Sequence, residues 1–411
     1  MKLKMLNVFL HHDGVKLSIG RLAYKERVIY FEYDKSFLQS DIQISPYKLP
    51  LKPGVHICQE RLFDGLFGVF ADSLPDGWGR LLLDRHLMSK GMSFNEITPL
   101  DRLSYIGKYG VGALSYEPIY EELTLDEKSI VLDDLASSSL QILKGQSQDM
   151  LDTLLAIGGS SAGARPKAMI QINENNEIIH GVQTLQEGYE HYIVKFPSAT
   201  DTQDIGKLEY IYSLMARDAK IQMPQTKLLI GKTNSYFAVK RFDRVKDKRV
   251  HIHSVAGLVH SDFRTPVLDY DDLLTLTLHI TKDVAEVAKM FRLACFNLFA
   301  HNRDDHAKNF SFLLDGKNWK LSPAYDLTFS FGPGGEHSTT YMGEGKNPTI
   351  KQLQLLAKKH SIKESDAIIN EVRSSVNNFQ SYAKHVGILK NSYEKVYAQL
   401  EVQTDIIVDE S

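Results

Sequence analysis

Asn302-Arg303-Asp304-Asp305-His306-Ala307-Lys308-Asn309 is the most telling run of this 411-residue chain. Arg303-Asp304 followed by four residues and Asn309 has the Arg-Asp-x-x-x-x-Asn spacing of a phosphoryl-transfer catalytic loop. In such a loop the aspartate orients or accepts a hydroxyl proton and the asparagine holds a metal ion. The pattern is short, and the residues after it give it weight. Phe310 to Leu314, Asp315-Gly316-Lys317-Asn318 and Trp319-Lys320-Leu321 read as two strands joined by a turn. A hairpin returns the chain to its start, so Asn309 before it and Asp326 after it are expected as neighbours. Two oxygen ligands so placed suit magnesium bridging nucleotide phosphates.

Upstream, the other parts of a phosphate-handling site come in order. Tyr192-Ile193-Val194-Lys195 is an alternating strand ending in a cation that can pair with phosphate, and Glu209 lies on a predicted helix from Leu208 to Ala219, where it can fix the Lys195 ammonium. Before both stands Ile157-Gly158-Gly159-Ser160-Ser161-Ala162-Gly163-Ala164-Arg165-Pro166-Lys167, small residues whose amides can approach phosphate closely. It matches neither Gly-x-Gly-x-x-Gly nor the Walker A pattern. Between the lysine strand and the catalytic loop, Tyr236 to Arg244 begins as a strand and offers a backbone edge that can read adenine.

Composition sets limits on the rest. Lys plus Arg total 48 against 51 for Asp plus Glu, a net charge of -3, which argues against binding nucleic acid by charge alone. Cys58 and Cys295 are too few for a disulfide scaffold or a cysteine zinc site, and a reducing cytoplasm fits. No apolar stretch of spanning length occurs, so neither secretion nor membrane insertion is expected. His301, His306 and His337 form no His-x-x-x-His pair on a predicted helix, which disfavours a metal hydrolase.

Ser73-Leu74-Pro75-Asp76, Ser160 to Lys167, Val194-Lys195-Phe196-Pro197, Lys240-Arg241-Phe242-Asp243-Arg244, Asp304 to Ser311 and Pro323-Ala324-Tyr325-Asp326 together resemble the HipA family of bacterial toxin kinases over essentially the whole chain. The resemblance implies an α+β protein: a protein-kinase-like core, with a small strand-rich lobe and a larger helical lobe, and an added N-terminal mixed α/β subdomain. It implies a serine/threonine protein kinase that uses ATP and Mg2+. It also implies a helix-turn-helix antitoxin as partner, a protein substrate with a target Ser or Thr, and DNA contact mainly through the antitoxin.

Carried over residue by residue, Asp304 is the base, and Asn309 and Asp326 are the metal ligands. Ala162, Gly163, Ala164, Arg165, Pro166, Lys167 and Lys195 meet the phosphates. Lys240, Arg241 and Phe242 meet adenine, with His306, Ala307, Lys308 and Tyr325 beside the nucleotide. In the family a serine of this loop can be autophosphorylated, ejecting the loop and switching the kinase off, and the resemblance implies Ser160, or its neighbour Ser161, for that place. Asp305 departs from the small residue expected there, and a second carboxylate beside Asp304 can raise its pKa or recruit another cation.

The expected organisation is an N-terminal subdomain over 1–116, a linker with a helix over 117–150, an ATP-binding strand-rich lobe over 151–245 and a mostly helical catalytic lobe over 246–411. Lys167 to Ile172 and Glu177 to Val182 read as a hairpin, and helices are predicted over 284–299, with Asp283 as its cap, and over 350–358, 363–385 and 390–400. The Gly332 to Lys346 segment reads as a mobile loop. Two rivals use the same residues: a kinase for a small molecule or lipid headgroup, and a non-catalytic nucleotide-binding partner of a DNA-binding antitoxin.

Overall fold

The computed structural model describes residues 3–120, 130–145, 151–158, 163–181 and 184–405. Apolar residues alternate with polar ones along β1 (Met5–His12), β2 (Val15–Lys25) and β3 (Val28–Tyr33), so one face carries Leu6, Val8, Leu10, Leu22, Ile29 and Phe31, all buried. With β4 (Val55–Ile57) and β5 (Leu114–Glu117) they form an antiparallel sheet ordered β4-β3-β2-β1-β5. A second antiparallel sheet is ordered β7-β6-β8-β10-β9. Its strands are β6 (Lys167–Asn173), β7 (Ile178–His180), β8 (Tyr189–Lys195), β9 (Thr226–Ile230) and β10 (Ser235–Lys240). The hairpin expected from Lys167 is β6 with β7.

The helices of the first half are α1 (Gly68–Ala71), α2 (Gly77–Ser89), α3 (Pro99–Ile106), α4 (Leu132–Leu143) and α5 (Leu151–Gly158). Trp78, Leu82 and Leu83 of α2, Tyr105 of α3, Leu135 of α4 and Leu154 of α5 share one core with Ile170, Tyr192, Val194 and Tyr236 of the second sheet. Packing therefore runs across residue 116: helices of the first unit back the strand-rich lobe.

The helical lobe holds α6 (Ile205–Asp218), α7 (Val255–Val259), α8 (Tyr270–Thr281), α9 (Val284–Phe299), α10 (Ile350–Lys359), α11 (Ser365–Asn377), α12 (Phe379–Val386) and α13 (Lys390–Asp405). Asp283 caps α9 as expected, accepting from the Ala285 amide at 2.8 Å. The single helix predicted over 363–385 is two. The break at Asn378 re-aims the chain, burying Phe379 where its ring stacks on Tyr393 at 5.9 Å. Among the described residues no helix is long and apolar enough to cross a membrane.

Polar latches join the N-terminal unit to this lobe. Asp243 accepts from the Gly112 amide at 2.9 Å, while Arg244 and Arg249 donate to the carbonyls of Gly110 and Gly112. Asp72 accepts from His253 Nδ1 at 2.7 Å, and His253 Nε2 lies 2.9 Å from Ser45 Oγ. The order is that of a Ser-His-Asp nucleophile set, but Ser45 and His253 are 1% and 0% exposed, so a substrate cannot reach them. Asp72 also accepts from the Ser254 amide and hydroxyl at 2.8 and 2.6 Å, which makes the group an interdomain anchor.

His11, His251 and His260 at this boundary are held neutral. Burial lowers His251 to about 4, and it also lowers His11 to about 4 and depresses His260. His251 packs between the Ile44 carbonyl, 2.9 Å from its Nε2, and the Trp319 ring. The unfolded chain protonates these rings near their ordinary value of about 6.5, whereas the folded chain resists until lower pH. Their stabilisation is thus complete above pH 6.5 and lost as pH falls toward 4. We expect the urea midpoint to drop between pH 7.5 and pH 4.5, and the drop to shrink in His251→Gln. A midpoint independent of pH across that window would contradict the assignment.

Candidate functional site

Local structure brings the catalytic-loop residues to the mouth between the two lobes. Ser311–Asp315 and Asn318–Leu321 pair in the expected hairpin, with Asp315 opposite Asn318 across the turn, and Ser322 N donates to Ser311 O at 2.9 Å. Tyr325 Oη donates to the Lys308 carbonyl at 2.6 Å, tying the residue before Asp326 to the residue before Asn309. Asp326 itself has φ of +58°, a left-handed conformation uncommon for a side chain and held here by its surroundings.

A ladder of alternating charge crosses the cleft. Lys195, at the end of β8, is bonded to Asp326 Oδ1 and lies 2.9 Å from Glu209 Oε2 on α6. Glu209 is 2% exposed and also meets Arg165 at 3.2 Å through its other oxygen. Arg165 in turn grips Asp201 with Nε and Nη2 at 3.0 to 3.2 Å. Burial works against the Lys195 charge, yet Asp326 and Glu209 hold its pKa well above the ordinary lysine range. Lys195 in turn holds the Asp326 carboxyl far below the usual carboxylate range, with help from Lys167 and Arg165. Lys167 is buried opposite Lys195 in the strand register, and burial lowers its pKa.

Asp304 is placed differently. Its side chain is about half exposed at 53% and 3.8 Å from His306 Nε2. Protein on its inner side strips enough solvent to raise its pKa, and the nearby charges of Asp326 and Asp305 raise it further. Asn309 donates Nδ2 to the Asp304 carbonyl at 2.8 Å, which leaves Oδ1 as the atom able to ligate a cation. Asp326 likewise keeps Oδ2 when Oδ1 serves Lys195. One carboxylate and one amide oxygen fit magnesium, which takes few protein ligands and completes its shell with phosphate and water. Among the described residues no cluster of three or more His, Cys, Asp or Glu side chains is placed to hold a metal.

Asp305 turns away from the cleft and is 1% exposed. Its carboxylate accepts from Tyr270 Oη and His337 Nδ1 at 2.9 Å each and from the Ser338 amide at 2.8 Å. It therefore recruits no further cation: it pins the segment after Asp326. Together with Asp269, which accepts from the amides of Met342 and Gly343, it fixes part of the Gly332 to Lys346 stretch that the sequence suggested was mobile.

The adenine-side residues divide. Lys240 ion-pairs with Glu190 on the neighbouring strand, and Arg241 is buried against Asp243 at 2.6 and 2.8 Å, its amide donating to His191 O at 2.8 Å. Phe242 faces Tyr325 at 5.7 Å between ring centres. His306 lies 5.7 Å from the Phe263 ring, and Ala307 is buried. Ala162, Ser160 and Ser161 lie outside the described residues. Asp201 escaped the sequence reading; it closes a turn, Ser198 N and Oγ donating to its carboxylate at 2.9 and 2.7 Å.

A family model described as the HipA N-terminal domain matches residues 6–117, and one described as the HipA-like C-terminal domain matches residues 159–380. The candidate kinase Y4dM of Sinorhizobium fredii is 27% identical over 210 residues, 46% of this chain and 51% of that protein. The chain thus spans about half the length of that relative. The candidate kinase Y4mE of the same organism is 24% identical over 364 residues, 83% of this chain and 80% of that one. Among solved structures, HipA in the Shewanella oneidensis HipA, HipB and operator DNA complex superposes with a TM-score of 0.70 at 17% identity, covering 97% of this chain and 95% of that one, a likeness of fold.

Removing Glu209 leaves two cations facing each other without their shared carboxylate. Lys195 keeps Asp326 and Arg165 keeps Asp201, so the cost is that of lost charge-assisted hydrogen bonds, about 1.5 to 3 kcal/mol. We expect Glu209→Ala to lower unfolding free energy by that order in urea titration; a loss within experimental error would mean that the ladder contributes nothing to the fold.

Proposed function

The chain belongs to the HipA family, and on that premise we propose that it is an ATP- and magnesium-dependent serine/threonine protein kinase acting as the toxin of a toxin-antitoxin pair. The observation that carries the reading is Lys195, held between Glu209 and Asp326. That arrangement joins a strand lysine, a helix glutamate and a metal-ligating aspartate across two lobes, which is what phosphoryl transfer needs. Bound magnesium-ATP would supply the transferable γ-phosphoryl group and the divalent charge that neutralises it. Asn309 Oδ1 and Asp326 would hold the cation, Lys195 and Arg165 would lie against the phosphates, and Phe242 with Tyr325 would flank the adenine.

Asp304 would accept the proton of the acceptor hydroxyl. Its exposure allows a protein serine or threonine to reach it, and its raised pKa makes it a stronger base than an ordinary surface aspartate. The reading includes self-inactivation through phosphorylation of Ser160 or Ser161. A helix-turn-helix antitoxin is the proposed partner: the HipA structure that this chain resembles is a complex with HipB and operator DNA. With a net charge of -3, this chain is suited to reach DNA through that partner.

Incubation with labelled ATP and host lysate should label protein serine or threonine, and a folded Asp304→Asn variant should lose about 100-fold or more of the rate. Label found only in small molecules or lipid would move the acceptor class, and full transfer by the variant would remove Asp304 as base. The isolated chain should show little affinity for DNA and little salt dependence; a steep fall in binding with added salt would place DNA contacts on this chain.

A further inference from the structure

We infer that Asp76, contributed by the N-terminal subdomain, is a positioning residue for phosphoryl transfer, clamping the phosphate-side loop at Gly163 to the catalytic loop at Lys308. This role rests on the kinase reading above. Asp76 stands at the N-cap of α2 in extended backbone, where an aspartate ordinarily accepts from its own helix, yet its side chain makes no such bond. Both oxygens are spent elsewhere. Oδ1 accepts from the Gly163 amide, and Oδ2 accepts from Lys308 Nζ at 2.5 Å, a partner 232 residues away.

The next two residues complete the clamp from the backbone. Trp78 N donates to Gly163 O at 3.1 Å, so residues 76 and 78 take both polar groups of Gly163. A Cβ on Gly77 would lie 2.7 Å from Ala164 Cα and 2.8 Å from Gly163 O, and Gly77 has φ of +44°. A Cβ on Gly163, at φ of +99°, would lie 2.3 Å from Lys167 Nζ. Glycine is thus required on both sides of the contact. Lys308 Nζ also sits 4.4 Å over the Phe263 ring, fixed between a carboxylate and a π face. Burial opposes the Asp76 charge, but Lys308, the Gly163 amide and Lys167 keep its carboxyl below the ordinary range, so it stays ionised at neutral pH.

The N-terminal subdomain therefore sets the spacing between a loop expected to meet phosphate and the loop that carries the base. A small displacement of either costs rate, because in-line transfer depends on sub-ångström placement. We expect Asp76→Asn to keep its melting temperature near that of the parent while kcat/KM for ATP-dependent transfer falls at least about tenfold. Asp76→Glu, which keeps the charge, should recover part of the loss. In a Lys308→Met background Asp76→Asn should cost much less, since its partner is already gone; full additivity would mean a merely structural role. Hydrogen exchange of the protein without nucleotide supplies a readout separate from activity. The Gly163 amide should exchange faster in Asp76→Asn while β8 is unchanged. Unchanged exchange and unchanged kcat/KM in an active protein would overturn the role of Asp76 alone. A parent that transfers no phosphate would overturn the kinase reading, and this role with it, while the exchange result still reports the clamp.

Discussion

The Lys195 ammonium is the fixed point of the cleft. A buried cation is tolerable only where carboxylates surround it, and here one comes from α6 and one from the turn after the hairpin. The strand-rich lobe supplies the lysine, so its charge can be satisfied only when both lobes are in place. Glu209 extends the same constraint to Arg165, and Arg165 extends it to Asp201. Glu209 serves two cations, and Asp201 serves a cation and a backbone amide. The ladder is therefore cooperative: it ties the segment at Arg165 to α6 and β8 by charge.

The N-terminal unit acts on this cleft rather than standing apart from it. Its helices α2 and α3 share a core with the second sheet, which stiffens the strands that carry Lys167 and Lys195. Its glycine-marked stretch from Gly107 to Gly112 presents carbonyls to Arg244 and Arg249, which serve as interdomain latches. Histidines work the same seam by hydrogen bonding. His253 joins the units through Asp72 and Ser45, and His260 does so through Glu60 and the Gly68 amide.

Local signals made much of this legible in the sequence. Turn residues at Asp315-Gly316-Lys317-Asn318, the Asp283 cap and the alternating run to Lys195 each act within a few residues, so they survive reading without a structure. The contact of Tyr325 with Lys308, the residues before Asp326 and Asn309, followed from the hairpin alone. Asp76, Asp201 and Asp305 behave differently. Asp76 finds its partners 87 and 232 residues away, and nothing beside it in the chain marks them. Asp305 sits next to the proposed base Asp304, where adjacency suggested shared chemistry; one residue later along the loop, its side chain points into the protein. Its neighbours Tyr270 and His337 come from elements before and after it that only tertiary packing unites.

That placement settles how carboxylates so close together can do different work. Asp326 lies against a lysine and stays ionised, as the proposed cation ligand must. Asp304, half open to solvent, meets no cation at hydrogen-bond distance among the described residues and is drawn toward protonation. A proton acceptor needs that reluctance, because a carboxylate already neutralised by a tight cation has little affinity for a hydroxyl proton. Asp305 shares neither environment: its hydrogen-bond donors hold it in the interior, where it contributes a small charge to Asp304 and fixes the segment beyond. The proposed division of base, ligand and anchor thus follows from which donors each carboxylate meets.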